Sequence, residues 1–439
     1  MRTPRTRETR IRQTLLAMLI AVASATTAAA QDQPAEPAKE ETSVKRGFVW
    51  DDRPTIVFGK DVTIGLRGRV QLDWRQFDPD LGEDTFDLRT ARVGVQGDVT
   101  RHFSYEVERA IDRDGNFTDW KDVYVAWKTF AAFRIKGGRF KMPFGLEQNT
   151  GPTETDFAYR SLASSTIAPG RDRGAMVYGE IGRLIYEAGV FDDDGDNAVL
   201  EEPRFVEEGQ DLENVGPSYA VRLQGDLLRV VPVPDAIKGA NFGLAYTNAL
   251  VPEGLNSVKG EAVWGADFFE RVYVKGRRQR IGAQFDWTPG PTGLKAEWMQ
   301  SREQRVGQSN RNEDLSDFIT TGWYVSGTWF VTGEDKDDNI NPRQPLFGGG
   351  IGAIEIGARF DELTFRSASE AGTPFTNPRA DYQVPNRDRV WTFGLNWMPS
   401  KWVRVVTNAI HERFEDLSRA PITGVSSYWS GLLRLQVVF

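Results

Sequence analysis

The sequence predicts an all-β chain, a transmembrane antiparallel β-barrel of about 16 strands. Three observations point there. Segments of about 10–14 residues alternate apolar and polar positions along most of the chain. The connections between them alternate between short and long. An export signal precedes them, and no later apolar run reaches the roughly 20 residues that a spanning helix needs.

The signal comes first in the chain. Arg2, Arg5, Arg7, Arg10 and Arg12 form a basic region, Thr14 to Ala25 an apolar run, and Ala28, Ala29 and Ala30 a cleavage site before Gln31. A mitochondrial-type presequence is the alternative reading. Residues 1–30 are therefore set aside as a signal peptide. Residues 31–54, rich in Pro, Glu and Lys up to 46, read as a periplasmic N-terminal linker, and 55–439 as the barrel.

Loss of five arginines and one glutamate with the signal takes the net charge from −8 to −12. That balance excludes nucleic acid as a partner. The absence of cysteine excludes disulfides and Cys-ligated metal. His102 and His411, on distant strands, make neither a metal pair nor a triad. No catalytic residue, metal site or cofactor is expected, and the chain does not read as an enzyme.

The first strand shows what separates a barrel from a sandwich. Ile64, Leu66, Val70, Leu72 and Trp74 share one face with Gly68, while Thr63, Arg67, Arg69, Gln71 and Asp73 share the other. Charges in the middle of a long strand suit a wet lumen, not a protein core. The pattern returns in Ile281, Ala283, Phe285 and Trp287 against Arg278, Arg280, Gln284 and Asp286, and in Ile354, Ile356, Ala358 and Phe360 against Glu355, Arg359 and Asp361. Strands are expected at 62–74, 86–98, 101–112, 119–130, 132–141, 171–181, 183–191, 217–229, 238–249, 277–288, 292–303, 318–332, 351–365, 388–399, 401–413 and 426–439. Even-numbered ones end in tight turns, apart from moderate connections at 230–237 and 333–350, and odd-numbered ones in long loops such as 142–170, 192–216, 250–276 and 366–387. This parity matches an outer-membrane barrel with both termini periplasmic. The last strand ends on an aromatic residue, Phe439. Sixteen strands leave an aqueous channel where eight would be filled by side chains.

Alternation places Arg67, Arg69, Arg92, Arg278, Arg280, Arg359, Arg404 and Arg434 in the lumen. Arginine suits oxyanions, because its planar fork gives two charge-assisted hydrogen bonds and stays ionised. The alternative is a structural ladder with lumen carboxylates such as Asp73, Glu106, Glu108, Asp286 and Asp361. The acidic runs at 192–196, 201–202 and 334–338 read as solvated loops, with a divalent-cation bridge to lipopolysaccharide as the alternative.

The run Gly138-Arg139-Phe140-Lys141-Met142-Pro143-Phe144-Gly145-Leu146-Glu147 resembles the phosphate-selective porin O and P family. So do Phe157 to Arg160, Pro169 to Gly174, Gly290 to Trp298, Gly322 to Val325, Val331 to Glu334, Gly352 to Glu355, Ala358 to Phe360 and Gly394 to Trp397, in the same order over most of 55–439. The resemblance implies a trimeric porin whose loop after the fifth strand, here 142–170, folds inward as a constriction. Arg139, Lys141, Arg160, Arg171 and Arg173 then belong to the loop and its flanks. The family usually carries Glu where this chain has Tyr159, and paired arginines where it has Arg89, Thr90 and Arg92. Gly137 and Gly138 suggest a bulge that would switch the facing of Arg139 and Lys141.

The expected function is passive diffusion of small anions, phosphate or related oxyanions, across the outer membrane, with lipid and lipopolysaccharide outside and a homotrimer as the assembly. Rivals are a general or sugar-admitting porin, which would need Trp and Tyr facing the lumen, and an adhesive barrel whose pore is incidental.

Overall fold

A computed structural model describes residues 47–50, 53–78, 85–195, 216–226, 239–336 and 341–439. The signal peptide, the linker up to 46 and the acidic pair at 201–202 lie outside the described residues. Among the described residues, no helix is long and apolar enough to cross a membrane.

The ring is built from β3 (Val62–Asp78), β4 (Thr85–Val99), β5 (Phe103–Ile111), β6 (Phe117–Phe130), β7 (Phe133–Lys141), β8 (Arg171–Ile181), β9 (Leu184–Phe191), β10 (Ser218–Gly225), β11 (Asn241–Gly254), β14 (Val274–Trp287), β15 (Thr292–Arg305), β16 (Leu315–Phe330), β17 (Ala353–Ser367), β18 (Asn386–Ser400), β19 (Val403–Phe414) and β20 (Ser427–Val438). Each pairs antiparallel with the next, and β20 returns to β3 with Leu435 opposite Leu72. The ring therefore has no free edge, as a lipid surround demands of backbone polar groups. All sixteen expected strands are present, displaced by a few residues at their ends.

A small hairpin was not foreseen. Its strands are β1 (Gly47–Trp50), inside the expected linker, and β2 (Pro54–Phe58), which begins there. β2 pairs with the start of β3, Phe58 opposite Val62. It occupies the edge of β3 that β20 leaves free, at the point where Phe439 and Gly68 exchange backbone hydrogen bonds of 2.9 and 3.0 Å.

Register sorts the two faces. Trp298 lies opposite Trp323, Phe360 opposite Trp391, and His411 opposite Trp429, all pointing outward. Leu244 is 66% and Val325 50% exposed on this face. So continuous an apolar surface is stable against lipid and not against water. The inward face holds buried charges instead, among them Arg278, Glu303, Asp361 and Arg434.

Two long loops enter the barrel. The expected one, 142–170, carries α1 (Leu146–Asn149) and α2 (Leu162–Thr166), the latter capped by Ser161, whose side chain accepts from the Ser164 N–H. The other, between β11 and β14, was expected only as a long loop, at 250–276. It carries the short strands β12 (Gly260–Glu261) and β13 (Asp267–Phe269). Phe268 and Phe269 sink among Phe318, Phe365 and Phe414, with Phe269 and Phe365 stacked at 4.7 Å. Burying each phenyl contributes about 1.5–3 kcal/mol, which holds the loop inside. Phe144, Leu162, Ala163 and Ile167 of the first loop join the same apolar cluster.

Candidate functional site

The constriction begins with how loop 142–170 is held. The buried Glu297 carboxylate of β15 accepts from the N–H groups of Leu146 and Glu147 and from the hydroxyls of Tyr324 and Ser164. Glu147 in turn accepts from the Ser161 N–H at 2.7 Å and from Arg359 at 2.9 Å. Further along, Asn408 accepts from the Ala158 N–H, and Arg434 donates to the Ala158 carbonyl while its fork grips Asp73 at 2.7 and 2.8 Å. Arg404 donates to the carbonyls of Thr153 and Asp156. Asp156 is clamped between Lys336 at 2.7 Å and Lys295 at 2.9 Å. Burial opposes its charge, but the two lysines outweigh that and hold its carboxyl well below the usual range. Lys336 comes from the unusually long connection after β16, which reaches into the barrel to meet the loop.

These contacts revise the expected anion path. Arg359, Arg404 and Arg434 do point inward, but each is buried and tied to the loop or to a carboxylate. Arg278 and Arg280 are likewise buried, both paired with Asp194 of the loop after β9, and Arg278 also with Glu303. Asp194 was expected in a solvated acidic run; burial opposes its charge, and Arg280 and Arg278 keep its carboxyl low. Four of these five arginines thus pair with carboxylates, as the structural-ladder alternative has it, and Arg404 is held by loop carbonyls. No group of three or more His, Asp and Glu suited to a metal ion occurs among the described residues.

Arg139 and Arg173 are corrected outright. β7 runs past Gly137 and Gly138 without a register shift, so no bulge turns Arg139 inward. Arg139 pairs with Val123 and Arg173 on the face of the exposed Val125, and Arg173 meets Asp192 at 3.4 Å. Gly138 is glycine because its φ is +133° and a Cβ there would sit 2.2 Å from the Val123 carbonyl.

The remaining cations converge. Lys141 and Arg171 share the parity of Arg139, yet at this end of the barrel both side chains turn in. Lys141 donates to the carbonyls of Asn149 and Thr150, and Arg171 grips Asp122 at 2.8 and 3.1 Å. Arg69 and Arg92 share Glu108, at 2.5 and 3.0 Å. Arg160 donates to the carbonyls of Glu147 and Thr150. Burial lowers Arg160 to about 10, Arg171, Arg92 and Arg69 push the same way, and Glu147 resists. Five cations thus gather where the loop meets the wall. Their local carboxylates are Glu108, Asp122 and Glu147.

The loop lies across the barrel between two cavities. One, of about 760 Å³, opens toward the short turns and is lined by Arg67, Arg69, Asn149, Thr153, Asp156 and Arg404. The other, of about 510 Å³, opens toward the long loops and is lined by Arg89, Arg92, Lys121, Arg160, Arg171 and Trp264. Arg67 pairs with Glu106, and Arg89 stands over the Tyr159 ring at 5.4 Å. Trp264 was not foreseen as a lumen residue; it arrives on the second inward loop.

Relatives agree with the architecture. A protein of Caulobacter vibrioides with no described function is 23% identical over 405 residues, covering 87% of this chain and 74% of its own. Solved structures share the fold: OmpT of Vibrio cholerae (TM-score 0.53, 9% identity, 87% of this chain and 99% of that one), an anion-selective porin from Comamonas acidovorans (0.53, 13%, 86% and 100%), and the channel DcaP of Acinetobacter baumannii (0.51, 10%, 87% and 99%). The family model for phosphate-selective porin O and P matches residues 64–439, so this outer-membrane β-barrel belongs to the phosphate-selective porin O and P family.

Proposed function

We propose that the chain lets small anions, phosphate or related oxyanions among them, diffuse passively through its barrel, with both termini in the periplasm and three copies in the assembly. The trimer rests on likeness to Vibrio cholerae OmpT, which has a trimer form. The observation that carries the anion preference is the gathering of five cations at the edge of the inward loop: Arg69 and Arg92 share Glu108, Lys141 and Arg160 share the Thr150 carbonyl, and Arg92, Arg160 and Arg171 line the outer cavity. Low-dielectric walls focus the field of such a cluster, so it outweighs the acidic balance of the whole chain. Glu108 and Asp122 neutralise part of it and keep the site weak enough to release what it attracts. Arg89, Arg92 and Lys121 collect anions in the outer cavity, and Arg67 and Arg69 receive them in the inner one.

Single-channel conductance in salts of varied ions tests this. Exchanging chloride for a bulkier anion should cut the conductance strongly, and exchanging potassium for a bulkier cation should leave it nearly unchanged. The reverse dependence would refute the proposal.

A further inference from the structure

The outer cavity holds a feature that inorganic anions do not require. Trp264, from the tip of the second inward loop, meets Tyr159, from the first, at 4.9 Å between ring centroids. Phe77 of β3 meets the same indole at 5.4 Å. The polar tips of two rings are already spoken for. The Trp264 N–H donates to Ser430 at 2.7 Å, and the Tyr159 hydroxyl donates to Asp73 at 3.3 Å. Both residues line the cavity, with their polar tips anchored away from it. Arg75 lies over the indole at 5.1 Å, and Arg89 and Arg434 lie over the phenol at 5.4 and 5.3 Å, with Arg92, Arg160 and Arg171 also lining the cavity.

We infer that this cavity is a binding site for organic anions that carry an aromatic ring, such as aryl carboxylates. The inference rests on the anion-pore reading above and names a solute class for it. The arginines supply the attraction for the carboxylate. Trp264 supplies the aromatic surface, braced by Tyr159 and Phe77 so that its orientation costs little further on binding. Neither ring needs a polar partner from the solute, so the solute's ring can be unsubstituted. Aliphatic anions meet the same arginines and lose the ring contact. The cavity of about 510 Å³ has room for one such solute.

Planar bilayers holding the full-length porin test this, with benzoate, acetate or cyclohexanecarboxylate added on the long-loop side and chloride current as the readout. Benzoate is expected to reduce the current at a concentration about tenfold lower than acetate, the discrimination that one good aromatic contact provides. Trp264→Ala should bring benzoate to the acetate level, and Trp264→Phe should keep most of the difference. Retention of heat-resistant oligomers on gels verifies that each variant is folded. Equal block by benzoate and acetate in the unaltered porin would overturn the inference, as would a difference that survives Trp264→Ala. Block by cyclohexanecarboxylate as tight as by benzoate would overturn the aromatic requirement. In the same bilayers, an anion-favouring zero-current potential with any of these results overturns this inference alone. A cation-favouring potential overturns the anion-pore reading and this inference with it.

Discussion

Arg160→Gln removes one charge from the filter while keeping an N–H donor for the Glu147 and Thr150 carbonyls. The size of the effect follows from Coulomb's law. An ion passing at about 6 Å from the guanidinium interacts with it by about 0.7 kcal/mol in a water-like medium and about 3 kcal/mol at an effective dielectric constant of 20. An anion loses that attraction, and a cation loses an equal repulsion. Even the lower figure, counted for both ions, shifts their relative permeability by about 1.4 kcal/mol, or tenfold. The assay is the zero-current potential across a planar bilayer under a potassium chloride gradient, compared between the variant and the parent. The chloride-to-potassium ratio should fall by at least tenfold with single-channel conductance of the same order. An unchanged ratio in a folded variant would show that Arg160 does not face the ion path and would refute this reasoning.

Three further outcomes follow from the contacts that shape the lumen. Asp156→Asn releases Lys295 and Lys336 from their shared carboxylate and should produce current fluctuations at neutral pH as loop 142–170 loosens. In the parent the folded pKa of Asp156 lies below its unfolded value of about 3.9, so this contribution is complete above that pH and disappears as the pH falls through the folded value. Bilayer recordings should therefore be steady from pH 5 to 8 and become noisy only in stronger acid. Phe268→Ala or Phe269→Ala should each cost about 3–5 kcal/mol of packing for the second inward loop, seen as a rise in conductance with the barrel intact by circular dichroism. Asp194→Asn leaves Arg278 and Arg280 to a neutral amide and Glu303, at a cost of about 3–5 kcal/mol, and should make the segment after β9 accessible to protease.

The barrel was legible because two solvents read it. Lipid outside and water inside force a period of two on every strand, and that period survives in sequences as different as Val62–Asp78 and Ser427–Val438. The hairpin β1–β2 escaped because strands of 4 and 5 residues are too short to show the period. Side-chain parity told which way Arg359 and Arg434 point and offered Asp361 and Asp73 among the alternative partners, but not Glu147 of the inward loop. Glu147 lies 212 residues from Arg359 and Asp73 lies 361 from Arg434, and only the closed ring and its inward loop bring these pairs together. Parity failed at a strand end: Arg139 faces out as its parity requires, while Lys141, on the same face of β7, turns in to the loop. The second inward loop left a trace that could have been read. Trp264, Phe268, Phe269 and Val272 make it too apolar for a solvated loop, and three of these four are fully buried.

The central claim is that five crowded cations make this acidic chain an anion pore. The most direct measurement is the zero-current potential of the unaltered protein in a planar bilayer between two concentrations of potassium chloride. The account predicts a potential of the sign set by chloride moving down its gradient. A potential of the opposite sign, set by potassium, would contradict it.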